Sequence, residues 1–149
     1  MYKIMTSNFD VIVLGAGGIG SAAAYYLAKE KKRVLILEQF NINHNKGSSY
    51  GYSRVIRYAY DNPIYVKLMR AAYSLWFALE KEAKETLYIK TGELDFGLIN
   101  SPSMQEVANS MRQENIPYQT LTATEINKRF PQFNIPETME GLYQEDTGI

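Results

Sequence analysis

The chain has 149 residues, of which 46% are hydrophobic, so its length and composition suit one ordinary domain with a buried core. The formal net charge is zero, and this gives no electrostatic reason to expect a nucleic acid or an anionic membrane as a partner. Cysteine is absent, which excludes disulfides, thiolate metal sites and a thiol nucleophile.

Neither the start of the chain nor any later segment suggests export or membrane insertion. The first residues contain no apolar run long enough for a signal peptide, and no later run is long enough to span a bilayer. We therefore expect a cytoplasmic protein.

The first elements predicted along the chain form a βαβ unit. Asp10-Val-Ile-Val-Leu14 predicts a strand that runs into Gly15-Ala-Gly-Gly-Ile-Gly20. A helix is predicted from about Gly18 to Lys29, and Val34-Leu-Ile-Leu37 predicts a second strand that ends at Glu38. This order of elements is typical of folds that bind the ADP half of a cofactor.

Three glycines of this unit have separate predicted roles. Gly15 lets the chain turn sharply out of the strand, because a residue without Cβ tolerates dihedral angles that others do not. Gly17 lets the backbone approach a pyrophosphate, and Gly20 lets the helix lie close to the strand. The plainer alternative is that the glycines only form a tight corner. The register of strand, helix, second strand and acid favours binding.

Glu38 is the predicted contact to the adenosine ribose. It ends the second strand at about the 20-residue distance from the glycines that is typical of the motif. A carboxylate there can accept hydrogen bonds from the ribose hydroxyls, and it would repel a 2′-phosphate. NADP is therefore disfavoured.

A long loop and a long helix are predicted next. Residues 41–60 are rich in Asn, Gly, Ser and Tyr, and loops of that length are often functional. Asn62-Pro63 supplies a cap and a first-turn proline for the helix. We expect its core face to be an apolar stripe at three- and four-residue steps. The stripe consists of Tyr65, Leu68, Met69, Ala72, Trp76, Leu79 and Ala83.

The remaining sequence predicts a second sheet with two helices. Alternating residues over 87–98 predict two short strands or one bent strand. A helix is predicted to open at Ser101-Pro102, and Thr122-x-x-Glu125 resembles a capping box for a short helix. Residues 141–149 read as a strand entering a turn.

The fold class expected from these elements is α/β, with a Rossmann-like βαβ unit followed by part of a second, mixed α+β domain. No later βαβ unit completes a doubly wound sheet, so we expect an incomplete fold that is the front portion of a larger architecture. The predicted boundaries are 8–60 for the N-terminal part of the first domain, 61–140 for the partial second domain, and 141–149 for the start of a return to the first domain.

Several motifs together resemble the D-amino-acid-oxidase-like flavoproteins. These motifs are the glycine turn, the acid at Glu38, the segment Gly47-Ser-x-x-Gly-x-x-Arg54-x-x-Arg57, and Lys90-Thr-Gly-Glu-Leu-Asp-Phe-Gly97. Thr124-Glu-Ile-Asn-Lys-Arg-Phe-Pro131 and the last residues also match. Within these flavoproteins, the chain is most similar to the monomeric sarcosine oxidase and N-methyltryptophan oxidase family. The resemblance implies that residues 8–60 are the N-terminal part of an FAD-binding domain and that residues 61–140 are part of a substrate domain.

The resemblance implies an FAD-dependent oxidase of a secondary amine, such as sarcosine or another N-methyl amino acid. Such an enzyme removes a hydride from the carbon beside the nitrogen, makes an imine that hydrolyses, and passes electrons to oxygen to give hydrogen peroxide. The cofactor-binding residues that it implies are Gly15, Gly17, Gly18, Ile19, Gly20, Glu38, Gln39, Gly47, Ser48 and Arg54.

Two arginines are implied to take part in the chemistry. Arg54 would lie beside the flavin ring, where a fixed positive charge stabilises the anionic reduced form. Arg57 would bind the substrate carboxylate in a bidentate grip that lysine does not reproduce. The alternative for both is ordinary surface ion pairing, which contributes little.

Other features of the sequence limit these expectations. Relatives attach their flavin to a cysteine in a second half, or to a histidine within the loop that corresponds to residues 48–50, and this chain has neither residue. His44, the single histidine, is expected to be a solvated loop residue, and no metal site is predicted.

Two alternatives stay open. The βαβ unit also permits an NAD-dependent Rossmann dehydrogenase fragment. The chain is also compatible with a non-catalytic truncated gene product, or with one that depends on a partner carrying a complementary C-terminal half. We expect the chain to be inactive alone.

Overall fold

The computed structural model describes residues 8–149. Contacts divide the chain into two compact units, the first ending at Tyr52 and the second being Ser53–Ile149. The expectation about a signal peptide concerns mainly residues 1–7, which lie outside the described residues. The elements in chain order are β1 (Val11–Leu14), α1 (Gly18–Lys29), β2 (Val34–Leu37), α2 (Pro63–Ala83), β3 (Glu93–Leu98), α3 (Pro102–Gln113), β4 (Gln119–Thr122), α4 (Ala123–Arg129) and β5 (Met139–Gln144).

The first unit is the predicted βαβ unit. Strands β1 and β2 are parallel, with Val11 opposite Val34 and Leu14 opposite Leu37, and α1 connects them. The helix bounds and the second strand agree with the prediction, and β1 begins one residue later than expected. Apolar periodicity and the glycine turn were sufficient to define these elements.

The close approach of α1 to β1 depends on a glycine. A Cβ atom at Gly20 would lie 2.0 Å from the carbonyl oxygen of Gly15, closer than any van der Waals contact allows. The predicted role of Gly20 in packing the helix against the strand is thus borne out by the geometry. Gly15 itself has φ +93°, a left-handed conformation that side chains rarely adopt.

The second unit contains the predicted second sheet, which is antiparallel with strand order β3-β5-β4. Residues 93–98 form β3, but residues 87–92 do not form the further strand that the alternation suggested. Their only ladder contact is an isolated bridge between Lys90 and Gly148. The polar groups of this segment pair instead with the end of the chain, since Ile89 and Ile149 exchange two backbone hydrogen bonds of 2.8 and 3.0 Å.

The start of α2 agrees with the prediction, but its buried face does not. Asn62 caps the helix by accepting a hydrogen bond from the Ile64 amide at 3.0 Å. The buried residues are Val66 and Tyr73, whereas four members of the predicted stripe are exposed, namely Tyr65 (51%), Leu68 (60%), Trp76 (43%) and Ala83. The predicted period is correct, but the buried face is rotated around the helix. The reason is that α3 and Tyr58 pack against the side of α2 that carries Val66 and Tyr73, with the ring centroids of Tyr58 and Tyr73 4.5 Å apart.

The last two helices follow their sequence signals. Met104 and Met111 of α3 are buried beside Val66 and Leu142 in one core cluster. The Thr122 hydroxyl accepts a hydrogen bond from the Glu125 amide at 3.3 Å, and the Glu125 carboxylate accepts one from the Thr122 amide at 2.8 Å, so the capping box is confirmed.

The predicted domain limits remain a prediction. The structure groups residues 53–60 with the second unit, and it places residues 141–144 in β5, at the centre of the antiparallel sheet. The fold class itself, α/β with a parallel and a small antiparallel sheet, is confirmed. Within residues 8–149, none of the helices combines the length and hydropathy needed to cross a bilayer.

The glycine contact gives the first prediction. Gly20→Ala should destabilise the first unit by about 1–3 kcal/mol or more, because overpacking against a backbone atom has no flexible side chain to relieve it. Amide hydrogen exchange of β1 and β2 is the measurement, and these amides should exchange faster in the variant.

Gly18→Ala is the matched control in the same helix. Its Cβ atom would lie 3.5 Å from the Ser49 hydroxyl oxygen, an ordinary contact. Equal exchange rates in the two alanine variants would contradict the packing role of Gly20.

Candidate cofactor site

The turn between β1 and α1 presents backbone at the surface of the first unit. Gly15 donates a hydrogen bond to the Leu37 carbonyl at 2.7 Å, which ties the turn to the end of β2. Gly17 is the N-cap residue and has no side chain to cap the helix. Gly17, Gly18 and Ile19 are all exposed, and Ile19 retains 90% of its accessible surface. A ligand can therefore reach the backbone of the turn.

The electrostatics of this turn favour an anion. The first N–H groups of a helix have no partner within the helix, and the helix dipole adds partial positive charge at the same end. No acidic residue lies in the first turn of α1 to oppose that charge. Phosphate groups bind at helix N-termini for these reasons.

Ser49 contacts this turn from the loop, and the sequence interpretation did not include it. Its hydroxyl oxygen accepts a hydrogen bond from the Gly18 amide at 2.8 Å. A Cβ atom at Gly17 would lie 3.1 Å from the same oxygen. The available sequence signal is the second serine of Gly47-Ser-Ser49, a position that the motif leaves unspecified.

Glu38 is bound to the glycine turn. One carboxylate oxygen accepts a hydrogen bond from the Ala16 amide at 2.8 Å, and the other accepts one from the Phe40 amide at 3.1 Å. These two backbone donors lower the pKa of Glu38 below its ordinary value, so the side chain is ionised at neutral pH. A carboxylate has about four acceptor sites, so Glu38 can still accept a hydrogen bond from a ribose.

His44 is not the solvated loop residue that we expected. Its side chain is 22% exposed, its Nε2 atom lies 3.4 Å from a carboxylate oxygen of Glu38, and its ring centroid is 4.8 Å from that of Phe40. The expectation was wrong because the loop folds back on the end of β2, and spacing in the sequence does not reveal such a return. Among residues 8–149, no group of three or more metal-ligating side chains lies close enough to hold a metal ion.

Most of the predicted cofactor-binding residues line one cleft of the first unit. The cleft is bounded by residues 14–18, 21, 37–40, 42–44 and 46–52. It therefore includes the predicted residues Gly15, Gly17, Gly18, Glu38, Gln39, Gly47 and Ser48. Of the other predictions in this unit, Ile19 and Gly20 belong to the first turn of α1 and do not line the cleft. The roles of all these residues stay predictions.

The two arginines belong to the second unit. Arg54 donates a hydrogen bond to the Ser53 carbonyl at 2.7 Å and is exposed. Arg57 donates to the Glu93 carboxylate at 3.1 Å, and its guanidinium carbon lies 5.1 Å from the ring centroid of Tyr60. The structure thus gives Arg57 a carboxylate partner of its own, which the sequence interpretation missed.

Glu93 belongs to a partly buried polar network on β3. The Thr147 hydroxyl donates to the second carboxylate oxygen of Glu93 at 3.1 Å. Burial, and then the negative charge of Asp95, raise the pKa of Glu93, although Arg57 acts in the opposite direction. Burial also raises the pKa of Asp95, which Arg57 partly offsets. Residues 93 and 95 lie on one face of the strand because side chains alternate along β structure.

The family of the chain follows from comparison with known proteins. The pattern of the family described as "DAO: FAD dependent oxidoreductase" matches residues 10–149. This chain belongs to the DAO family. The expected resemblance and the FAD cofactor of the family are therefore confirmed, and the NAD-dependent alternative is not favoured.

Curated relatives in the DAO family are amine oxidases. Peroxisomal sarcosine oxidase of Homo sapiens is 38% identical over 141 residues, which are 95% of this chain and 36% of the human protein. Monomeric sarcosine oxidase of Bacillus sp. strain B-0618 is 37% identical over 147 residues, 97% of this chain and 38% of that protein. N-methyl-L-tryptophan oxidase of Yersinia pestis strain Pestoides F is 33% identical over 142 residues, 95% of this chain and 38% of that protein.

Solved structures agree with this assignment. NikD, described as an unusual amino acid oxidase essential for nikkomycin biosynthesis, aligns with a TM-score of 0.83 and 32% identity, covering 96% of this chain and 37% of NikD. L-proline dehydrogenase from P. horikoshii aligns with a TM-score of 0.77 at 21% identity, covering 95% of this chain and 38% of that protein, and this likeness concerns the fold alone. The DAO chain described here thus spans little more than a third of the length of these relatives.

The carboxyl pair on β3 gives a pH-dependent prediction. Asp95→Asn should stabilise the second unit at neutral pH. Because the pKa of Asp95 is raised in the folded state, the unfolded state releases this proton at a lower pH than the folded state does. The free energy of unfolding of the wild type therefore falls as the pH rises from 3.8, the ordinary pKa, to the raised pKa. The gain from the substitution should therefore be present at neutral pH and vanish below the ordinary value.

Urea unfolding followed by circular dichroism between about pH 3 and 8 measures the effect. Glu106→Gln, at an exposed acid of α3, is the control and should change little at any pH. A gain for Asp95→Asn that is the same across the range would contradict the assignment.

Proposed function

We propose that the first unit binds the ADP half of FAD and that the protein acts in the oxidation of a secondary amine, such as sarcosine or another N-methyl amino acid. The observation that carries this proposal is the match of the DAO family over residues 10–149. Because the chain spans about a third of its relatives, the activity, the substrate and oxygen as acceptor all belong to the proposal.

The geometry of the first unit fits such a cofactor. In the proposal, the diphosphate lies against the backbone of Gly17 and the first turn of α1, where there is no Cβ and no acid to exclude it. Glu38 accepts hydrogen bonds from the ribose hydroxyls. Gly47 and Ser48 of the loop face the diphosphate and the flavin. An ionised Glu38, held by two backbone amides, suits a neutral diol and disfavours a 2′-phosphate.

When bound, FAD supplies the redox chemistry, accepting a hydride from the carbon beside the amine nitrogen and passing the electrons to oxygen. In the proposal, Arg54 places positive charge beside the flavin ring and Arg57 binds the substrate carboxylate. Arg57 already binds the Glu93 carboxylate at 3.1 Å, so a substrate carboxylate would have to share the guanidinium donors with that partner.

Two further expectations stay within the proposal. A cytoplasmic location belongs to the proposal, whereas the human and mouse relatives are peroxisomal by name. A partner that carries a complementary half also remains a prediction.

The cofactor proposal is tested by binding. The 149-residue chain should quench flavin fluorescence on binding FAD, and it should bind NAD more weakly. Glu38→Gln should weaken FAD binding by about tenfold or more, because a hydrogen bond to a charged acceptor is lost.

Glu30→Gln is the matched control, since Glu30 is an exposed acid at the other end of α1. Tighter binding of NAD than of FAD, or equal FAD affinity in all three proteins, would count against the proposal.

The substrate role of Arg57 has a kinetic test. In any form of the protein that oxidises sarcosine, Arg57→Lys should raise KM about tenfold or more and change kcat less, because lysine keeps the charge and loses the bidentate geometry. Arg112→Lys, at an exposed arginine of α3, should leave both constants unchanged. Unaltered kinetics in the Arg57 variant would remove this residue from the site.

A further inference from the structure

The His44 side chain packs directly against the Glu38 carboxylate. The Nε2 atom of His44 lies 3.4 Å from the carboxylate oxygen that also accepts a hydrogen bond from the Phe40 amide. The His44 ring stands edge-on to the ring of Phe40. The other carboxylate oxygen accepts the Ala16 amide. Glu38 is thus enclosed by the glycine turn on one side and by the segment 40–44 on the other, and its side chain is only 12% exposed.

The orientation of the His44 ring is fixed by a second contact. Its Nδ1 atom accepts a hydrogen bond from the Lys46 amide at 2.9 Å. A neutral imidazole has one N–H and one acceptor nitrogen. Because Nδ1 accepts the hydrogen bond from the Lys46 amide, the proton of the ring lies on Nε2. The ring therefore presents an N–H to the negatively charged Glu38, and the attraction between them favours one position of the carboxylate.

A fixed carboxylate matters for ligand binding. A free glutamate side chain samples many rotamers, and ordering it when a ligand binds reduces affinity. Two backbone amides, those of Ala16 and Phe40, already restrain the oxygens of Glu38. Each of these amides is fixed in turn by the position of its own chain segment. The His44 ring, held between Phe40 and the Lys46 amide, connects the loop to the carboxylate through a rigid side chain.

We propose that His44 is a positioning residue that holds Glu38 in the orientation in which it accepts the ribose hydroxyls of the cofactor. This inference rests on the proposed function, in which the first unit binds the ADP half of FAD. His44 does not contact the ligand in this role but acts through Glu38.

A purely structural role predicts something different. In that case His44 would only shape the loop, through the Lys46 amide and the Phe40 ring, and its loss would weaken every ligand of the cleft alike. Two substitutions separate these roles. Glutamine is long enough to place an amide N–H near the position of Nε2, whereas asparagine can accept the Lys46 amide but ends short of Glu38.

The experiment measures the affinity of the 149-residue chain for ADP and for 2′,3′-dideoxy-ADP, which lacks both ribose hydroxyls. We expect His44→Asn to weaken ADP binding by about tenfold and dideoxy-ADP binding by less than about twofold. His44→Gln should keep the ADP affinity within about threefold of the wild type. This pattern would show that His44 acts on the ribose through Glu38.

Other outcomes overturn the inference. Equal weakening of both ligands in His44→Asn would leave His44 with a structural role only, and so would wild-type ADP affinity in that variant. A loss in His44→Gln as large as in His44→Asn would exclude the Nε2 contact as the cause. A wild-type chain that binds no ADP would instead contradict the proposed function on which the inference rests.

The wild-type chain gives a second measurement that needs no folded variant. His44 is the single histidine, so its ring proton signals in an NMR spectrum need no further assignment. ADP should shift these signals and dideoxy-ADP should shift them less, because only ADP engages Glu38 through hydroxyls. Equal shifts with the two ligands would contradict the inference.

Discussion

The first unit depends on one carboxylate that joins three separate pieces of chain. Glu38 stands at the end of β2 and accepts hydrogen bonds from Ala16 in the glycine turn and from Phe40 at the start of the loop. Strands β1 and β2 share only a four-residue parallel ladder, and the Glu38 carboxylate adds a link at its end, beside the hydrogen bond from the Gly15 amide to the Leu37 carbonyl. The same side chain is therefore both a structural tie and the proposed ribose contact, and the two roles constrain each other.

The second unit contains a different kind of electrostatic arrangement. Arg57 is partnered by Glu93, and Asp95 lies on the same face of β3. Burial raises the pKa of both carboxyl groups, and the positive charge of Arg57 acts in the opposite direction. The proposed substrate role of Arg57 therefore places it beside two carboxyl groups whose own ionisation is opposed by burial.

Local signals in the sequence predicted most of the fold. The glycine turn, the cap at Asn62 and the capping box at Thr122 each depend on residues within a few positions, and all three appear as expected. The buried face of α2 and the contacts of His44 were missed. The face of α2 depends on which distant segment packs there, and the contacts of His44 depend on a loop that folds back on the end of β2. Neither periodicity nor spacing contains that information. The Arg57–Glu93 pair was missed for the same reason, since it joins residues of a loop and of β3.

The rotated face of α2 leaves the single tryptophan in contact with water. Trp76 is 43% exposed, and the first unit contains no tryptophan. Its fluorescence therefore reports on the second unit alone, and its emission is red-shifted as long as Trp76 is exposed to water. The second unit can thus be followed by tryptophan fluorescence while a ligand is titrated into the cleft of the first unit.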